Sequence, residues 1–270
     1  MILAVVGLQR EARIVAGEGV RVVIGGGSAA GLAAQLEAAF NKEPFPLAGK
    51  GWDGGVDSSE GDVAGRSAGS ALHPHPCPSP QGGGVPEGVI SFGLCGALSP
   101  ALKPGDIVVA SSVRDGAARF HTDSAWSRSI AARLPHAISG SIAGSDVMLA
   151  DPEVKAAQHG VSGAVAVDME SHIAARFAAR HALPLAVLRV VSDGADHALP
   201  AAAQRGMRPD GSMDIGAVLG ALAADPRQLP ALIRTGLEAE KGFRALLRCH
   251  RLLGPGLGFG QFGHHALDVT

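Results

Sequence analysis

Short runs of apolar residues recur along the chain, and most of them are continuous rather than alternating with polar positions. These runs predict β-strands over residues 3–6, 20–24, 88–93, 106–112, 137–144, 164–167 and 185–192. Continuous apolar strands are typical of a sheet that helices cover on both faces. Helices are predicted from Gln9, after the glycine-rich turn at 25–31, and over 169–182. The pattern therefore predicts an α/β fold.

The residues after Pro200 favour helices rather than strands. One helix is predicted over 212–224, and two more are predicted between Pro226 and Leu253. The last residues, 254–270, are rich in glycine, and we expect them to form a flexible tail.

Glycine and proline concentrate in one stretch, residues 41–87. Alternate prolines in this stretch remove backbone donors and fix φ, which excludes a helix or a central strand. The stretch has too few apolar residues for a core of its own, so we expect a surface insertion within a single domain that spans 1–253. His73, His75 and Cys77 resemble a set of metal ligands, but an incidental run is favoured because no partner cluster accompanies them.

Composition narrows the function classes. The formal net charge is −2, so no basic field attracts nucleic acid. The chain has two Trp and no Tyr, which argues against modules that stack nucleic-acid bases. Its three widely spaced cysteines favour a reduced, cytoplasmic protein over a disulfide scaffold, and neither a signal peptide nor a membrane span is predicted.

Carboxylates stand where three predicted strands end. Glu11 follows the first strand, Glu170 the sixth and Asp193 the seventh. Ligands of open α/β sheets bind at the carboxyl ends of the strands, so we expect these groups to converge. Together they supply a general acid, a base that activates water and a group that holds a diol, which is the chemistry of removing a sugar from a base. The alternative is a structural role, in which Asp168 is a helix N-cap and Glu170 interacts with the helix dipole. That role explains the presence of one of these acids without any catalysis.

Two glycine-rich turns follow predicted strands. The first, GGGSAAG at 25–31, opens a helix, but its spacing is not GxGxxG, and this disfavours a dinucleotide-binding oxidoreductase. We interpret it as a tight turn that brings backbone close to a ligand. In the second, GLCG at 93–96, small residues end a strand where open α/β sheets bind ligands. Cys95 is interpreted as a small buried thiol rather than as a nucleophile.

An ordered set of motifs resembles the nucleoside phosphorylase/nucleosidase superfamily. The motifs are GLCGAL at 93–98, PGDIVVAS at 104–111, SDVM at 145–148, VDMES at 167–171 and RVVSDGAD at 189–196. They are most similar to the branch that contains the methylthioadenosine/adenosylhomocysteine nucleosidases. The resemblance implies a three-layer α/β/α sandwich with a central mixed sheet, no metal or organic cofactor, and a homo-oligomer.

The resemblance also implies a role for each matching residue. Asp193 matches the acid that protonates or hydrogen-bonds purine N7, Glu170 the carboxylate that holds the ribose hydroxyls, and Glu11 the glutamate that orients the attacking water. The register of Glu11 stays open, because its spacing from Gly7 is one residue shorter than the nucleosidase pattern. The residues expected to line the base and the sugar are Met148, Leu149, Cys95, Gly96, Met169 and Ser192.

Departures from the family pattern bear on the nucleophile. Ser91 and Leu94 stand where bacterial purine phosphorylases carry an Arg and a Ser that hold phosphate, and the N-terminal phosphate loop is absent. Water is therefore favoured as the nucleophile, since a phosphate site needs several donors. Ser28 with Arg10 or Arg13 remains a candidate anion site, so phosphate stays open as a co-substrate.

A narrower resemblance bears on the substrate. Residues 187–235 are similar to hopanoid-biosynthesis-associated phosphorylases, which are taken to remove adenine from adenosylhopane. Few residues separate Arg13 from the strand at 20–24, where the nucleosidases have an extra hairpin, and this opens the 5′ side of the sugar to a bulky apolar group. A lipid substrate leaves peripheral membrane contact open, although the charges of the C-terminal helices suit a solvated face.

Other functions remain as alternatives. Within the enzymes these are a methylthioadenosine/adenosylhomocysteine nucleosidase and a purine nucleoside phosphorylase. Outside them, the alternative is a non-catalytic nucleoside-binding protein that kept the fold.

Overall fold

Eight strands form one sheet with helices on both of its faces. The computed structural model describes residues 1–26, 28–41, 86–206, 208, 211–212 and 214–260. Its strands are β1 (Ile2–Val6), β2 (Val20–Ile24), β3 (Gly88–Ala97), β4 (Ile107–Asp115), β5 (Ala118–His121), β6 (Ile138–Gly144), β7 (Ala166–Asp168) and β8 (Leu185–Asp193). Its helices are α1 (Gln9–Val15), α2 (Ala29–Phe40), α3 (Ser124–Arg133), α4 (Pro152–Ser162), α5 (Ser171–Arg180), α6 (Ala201–Arg205), α7 (Ile215–Ala224) and α8 (Leu229–Leu253).

The strands pair in both directions. The order is β2-β1-β3-β7-β6-β4-β5, and β8 pairs with both β3 and β4. β1, β2, β3 and β8 run parallel, whereas β7 is antiparallel to β3 and β4 is antiparallel to β8. Because β6 pairs with both β4 and β7, five of the strands close a ring. This closure brings the end of β7 to the carboxyl ends of β3 and β8.

The two faces of the sheet pack under different helices. α2 and α5 cover Leu3 and Val187 on one face, and α1, α3 and α8 cover Ala4 and Leu188 on the other. Successive residues of a strand point to opposite faces. Leu3 therefore enters one core and its neighbour Ala4 the other, and the same holds for Val187 and Leu188. The prediction of a three-layer sandwich with a central mixed sheet is therefore confirmed.

The predicted strands are present, with changes at their ends. β3 and β4 extend further than predicted, and β7 starts two residues later. The sequence patterns did not predict β5, α3 or α4. Asp123 and Asp151 are the N-caps that precede α3 and α4, and their carboxylates accept hydrogen bonds from backbone N–H groups of the first turn.

The prediction of two helices between Pro226 and Leu253 was wrong, because a single helix, α8, follows a short 3-10 turn at Pro226–Gln228. Gly236 and Gly242 do not interrupt it. A side chain at Gly242 would lie 3.0 Å from Leu94 Cδ2, so glycine lets the helix approach the sheet closely at this point.

The described part of the predicted flexible tail, residues 254–260, instead packs against α3. Trp126 Nε1 donates a 2.9 Å hydrogen bond to the carbonyl of Leu257, whose side chain is fully buried. The ring of Phe259 lies 4.5 Å from the ring of Trp126. Residues 261–270 are outside the described residues, as is the insertion predicted at 41–87, including His73, His75 and Cys77, except for residues 41, 86 and 87.

Within the described ranges, no helix combines the length and the apolar character needed to cross a membrane.

Candidate active site

Glu11 links the first helix to the end of a central strand. Its Oε2 accepts hydrogen bonds from the backbone N–H groups of Gly7 (2.8 Å) and Leu8 (2.9 Å), which lie just before α1. Its Oε1 accepts from Leu94 N in β3 at 2.8 Å. The side chain is buried. Glu11 therefore lies among the strand ends, and its match to the glutamate of the nucleosidase pattern stays a prediction.

Arg189, in the middle of β8, is the centre of a buried cluster of charges. Its Nε lies 2.6 Å from Asp168 Oδ2, although this N–H is not aligned for a hydrogen bond, and its Nη1 lies 3.3 Å from Glu170 Oε2. Nη1 also donates to the carbonyl of Leu94, and Nη2 donates to Ser91 Oγ. We name Glu11, Asp168, Glu170 and Arg189 the Arg189 cluster.

Two glycines leave the space that this cluster occupies. Gly93 pairs with Arg189 across the parallel strands β3 and β8. A Cβ at Gly93 would lie 2.7 Å from Glu11 Oε1 and 2.8 Å from Arg189 Nη1. A Cβ at Gly7 would lie 2.7 Å from Glu170 Oε1. A Cβ at either position would force a charged side chain to move, so glycine lets the backbone come close to these groups without displacing them.

The first turn of α5 orients Asp168 and Glu170. Asp168 Oδ1 accepts from the backbone N–H groups of Glu170 (3.2 Å) and Ser171 (2.8 Å), which are unpaired donors at the start of the helix. Ser171 Oγ bonds to Asp168 Oδ2 and to Ser91 Oγ. The predicted capping role of Asp168 is thus present, and the same carboxylate also faces Arg189.

The electrostatics of the cluster follow from three carboxyl groups around one guanidinium. Burial raises the pKa of Glu11, and the Arg189 charge counteracts part of that rise. Burial also raises the pKa of Glu170 to about 8, with the Asp168 and Glu11 charges adding to the effect against Arg189. Burial acts to lower the pKa of Arg189, but Asp168, Glu170 and Glu11 together raise it above its ordinary value. The raised pKa favours the protonated form of Glu170 near neutral pH.

Asp193 ends β8 beside the second glycine-rich turn. It pairs with Gly96 across a register shift in β3, and a Cβ at Gly96 would lie 3.2 Å from its Oδ2. Ser192 Oγ lies 2.8 Å from Asp193 Oδ1 and 3.1 Å from the carbonyl of Cys95, and its one hydrogen serves one of them at a time. Lys155 Nζ, from α4, donates to Asp193 Oδ2 at 2.5 Å. Asp193 is thus held from two sides.

The sequence patterns did not single out Arg189 or Lys155. Arg189 interrupts the apolar run of β8, and a charged residue in a strand buried on both faces is itself a signal, because it requires carboxylate partners. Lys155 gave no such signal, since the helix that carries it was not predicted.

The other predicted pocket residues are buried or half-buried. Cys95 is buried, and burial, followed by the charge of Asp168, raises the pKa of its thiol well above the ordinary value, which fits an inert thiol. Leu149 packs with Leu98 and Val167. Met148 and Met169 are half-buried.

The structure does not assemble the predicted anion site. Ser28 Oγ accepts from Gly31 N and caps α2. Arg10 points to α8, where its Nη1 lies 2.7 Å from Glu240 Oε2 and its guanidinium stacks on the ring of Phe243. Arg13 is exposed. Among the described residues, no hydrogen bond or ion pair joins Ser28 to either arginine.

Chemically, the site combines a buried diol-binding or water-binding group with a separate acid. Glu11 and Glu170 are buried carboxyl groups with raised pKa values, which suits proton transfer near neutral pH. Asp193 stands at the end of the neighbouring strand with a cation and a hydroxyl around it. In the part of the chain that the structure describes, no group of three or more His, Cys, Asp or Glu residues is arranged to hold a metal ion.

The mixed sheet and the carboxyl groups at its strand ends define an enzyme of the nucleosidase and phosphorylase class, which acts on N-glycosidic bonds. A family model described as the phosphorylase superfamily matches residues 83–224, more than half of the chain. The chain therefore belongs to the phosphorylase superfamily. A search of curated proteins by sequence found no match.

Solved structures share the fold over nearly the whole chain. The 5′-methylthioadenosine/S-adenosylhomocysteine nucleosidase of Neisseria meningitidis, in complex with methylthio-immucillin-A, has a TM-score of 0.55 and 13% identity, covering 92% of this chain and 96% of that chain. The corresponding Helicobacter pylori nucleosidase, with butyl-thio-DADMe-Immucillin-A, has a TM-score of 0.53, 14% identity and the same two coverages. At these identities the similarity shows the fold.

Proposed function

We propose that this protein cleaves the N-glycosidic bond of an adenine nucleoside with a bulky apolar 5′ group, and that the substrate is adenosylhopane. The observation that carries the proposal is the pairing of two acidic groups at adjoining strand ends, the Arg189 cluster and Asp193. One group suits the sugar and the nucleophile, and the other suits the leaving base.

The proposed reaction breaks the bond between N9 and C1′ and forms a bond between C1′ and water. Asp193 takes up a proton from solvent and gives it to purine N7, the bond between N9 and C1′ breaks, and the electron pair of that bond leaves with adenine. Water adds to C1′ while Glu11 accepts one of its protons, and Glu170 holds the ribose hydroxyls. The raised pKa of Glu11 supports this role, because a carboxylate that binds protons tightly is a stronger base. Protonated Glu170 both donates to and accepts from a diol.

Two features support an apolar 5′ group. The connection between α1 and β2 is short, since it spans only residues 16–19. At the other end of α1, the carbonyl of Gly211 accepts from Gln9 N, so residue 211 lies against the start of this helix. The helices that follow expose large apolar side chains, namely Ile215, Leu219, Leu229, Ile233 and Leu237. This face supports an apolar arm on the substrate and peripheral contact with the membrane that holds it. From the resemblance to the nucleoside phosphorylase/nucleosidase superfamily, we propose that the protein is a homo-oligomer. From its widely spaced cysteines, we propose a cytoplasmic location.

Water is the proposed nucleophile, because the residues considered for a phosphate site have other partners. Ser28 caps α2, and Arg10 pairs with Glu240. The test is an adenine-release assay with adenosylhopane, methylthioadenosine and adenosine, each with and without phosphate. We expect release from adenosylhopane to be fastest and to need no phosphate.

Each other result of this assay identifies an alternative. Faster release from methylthioadenosine overturns the lipid substrate and indicates a methylthioadenosine/adenosylhomocysteine nucleosidase. Strict dependence on phosphate indicates a purine nucleoside phosphorylase. Nucleoside binding without any adenine release indicates a non-catalytic binding protein and overturns the proposed reaction.

A further inference from the structure

Helix α4 buries a lysine and no other residue. Of residues 152–162, all of which the structure describes, only Lys155 is buried, and its side chain has no exposed surface. The apolar side chains of the same helix, Val154 and Val161, are 48% and 89% exposed. A helix on a folded core ordinarily buries its apolar residues and leaves lysine in water. The orientation of α4 is therefore governed by what the lysine contacts.

The three donors of the Lys155 ammonium all have acceptors. Nζ donates to Asp193 Oδ2 at 2.5 Å, to the carbonyl of Gly194 at 2.9 Å and to the carbonyl of His197 at 3.2 Å. A buried ammonium is tolerated only when it is paired and hydrogen-bonded, and here the single charged partner is Asp193. The same three bonds tie α4 to the turn that follows β8.

We propose that Lys155 is a positioning residue for Asp193 and that it acts on the base-protonating step. This inference rests on the proposed function. Lys155 fixes Oδ2 and leaves Oδ1, beside Ser192 Oγ, as the oxygen that meets purine N7. Asp193 returns to the carboxylate form when it gives its proton to N7, and in that form it pairs again with an ammonium already in place, which needs no rearrangement during the reaction.

A structural lysine and a positioning lysine predict different results in a double-mutant cycle. The four proteins are wild type, Lys155→Met, Asp193→Asn and the double variant, and a Lys241→Gln variant serves as the control because Lys241 is exposed on α8. Two quantities are measured, namely kcat for adenine release and the Kd of adenine by calorimetry. Adenine affinity reads the contact with the base even where turnover is too slow to measure.

We expect Lys155→Met to lower kcat by about ten-fold or more, because a misplaced acid slows the transfer of the proton to the base. We expect the same substitution to weaken adenine binding in the wild-type background and to change nothing further in the D193N background. The Lys241→Gln control should match wild type in both measurements.

Equal losses from Lys155→Met in both backgrounds would overturn the inference, because they show an effect that does not pass through Asp193. If K155M fails to fold, the cycle is repeated with Lys155→Gln, which retains donors for the carbonyls of Gly194 and His197 but carries no charge. A wild-type protein that releases no adenine refutes the proposed function instead, so the two failures are distinguishable.

Discussion

The Arg189 cluster and the pair of Asp193 with Lys155 solve the same problem in different ways. Both bury ionisable groups at neighbouring strand ends. In the cluster, three carboxyl groups surround one guanidinium, and burial, with the neighbouring acidic charges adding to it, raises the pKa of Glu170 to about 8. In the pair, one carboxylate meets one ammonium at 2.5 Å. The Arg189 cluster therefore favours a protonated carboxyl at Glu170, whereas Lys155 fixes the carboxylate of Asp193 in place.

This difference assigns the groups to different parts of the substrate. A carboxyl that retains a proton at neutral pH suits neutral partners such as ribose hydroxyls and water. A carboxyl held beside a cation suits a position where negative charge appears during the reaction. The predictions below test the cluster against the pair, starting with the change that removes the central charge.

Arg189→Met is expected to have the largest effect on stability. It leaves three buried carboxyl groups facing one another without a cation, and breaking a buried ion pair costs about 3–5 kcal/mol. Denaturant unfolding measures the loss. Arg244→Met is the control, because Arg244 forms an exposed pair with Glu240, and we expect less than about 1 kcal/mol from it. Similar losses for the two variants would contradict the central role of Arg189.

Gly93→Ala is expected to have a smaller effect on the same cluster. Its Cβ would overlap Glu11 Oε1 and Arg189 Nη1, and overpacking of this kind costs about 1–3 kcal/mol. Gly236→Ala in α8 adds a Cβ in open space and is expected to raise the free energy of unfolding by up to about 1 kcal/mol. If Gly93→Ala and Gly236→Ala shift the free energy of unfolding in the same direction, the close packing of the cluster around Gly93 is contradicted.

Glu170→Gln is expected to change the pH dependence of stability rather than its size at low pH. The carboxyl has a pKa near 4.5 in the unfolded chain and about 8 in the folded protein, so the folded protein binds more protons between these values. Its contribution to the free energy of unfolding is complete below about pH 4.5 and is lost as the pH rises to 8. Thermal unfolding between pH 5 and pH 8 should therefore show a steeper decline for wild type than for the variant. Parallel stability curves for wild type and the variant would contradict the raised pKa of Glu170 in the folded protein.

The sequence predicted the acidic positions better than it predicted their partners. Glu11, Glu170 and Asp193 each follow a continuous apolar run along the chain, and runs of this kind predict buried strands and their ends. Arg189 carried a usable signal, since it stands inside such a run. Its actual partners depend on ring closure that brings β7 to β3, and no local pattern specifies that pairing.

The helices show where local patterns lose information. α4 was not predicted, because its exposed valines and buried lysine reverse the usual amphipathic pattern. α8 was divided in two, and its close packing on the sheet at Gly242 is not visible in the local pattern. In both cases tertiary contacts, rather than propensity, decide the outcome.

The central claim is that Asp193 protonates adenine as the glycosidic bond breaks, and adenine release by wild type and Asp193→Asn tests it most directly. The substrate is adenosylhopane without phosphate, and thermal unfolding is measured in parallel to show that both proteins retain the fold. We predict that the variant retains its fold and loses about 10²–10⁴-fold in kcat, the contribution typical of a general acid. A variant that releases adenine at the wild-type rate would contradict the account.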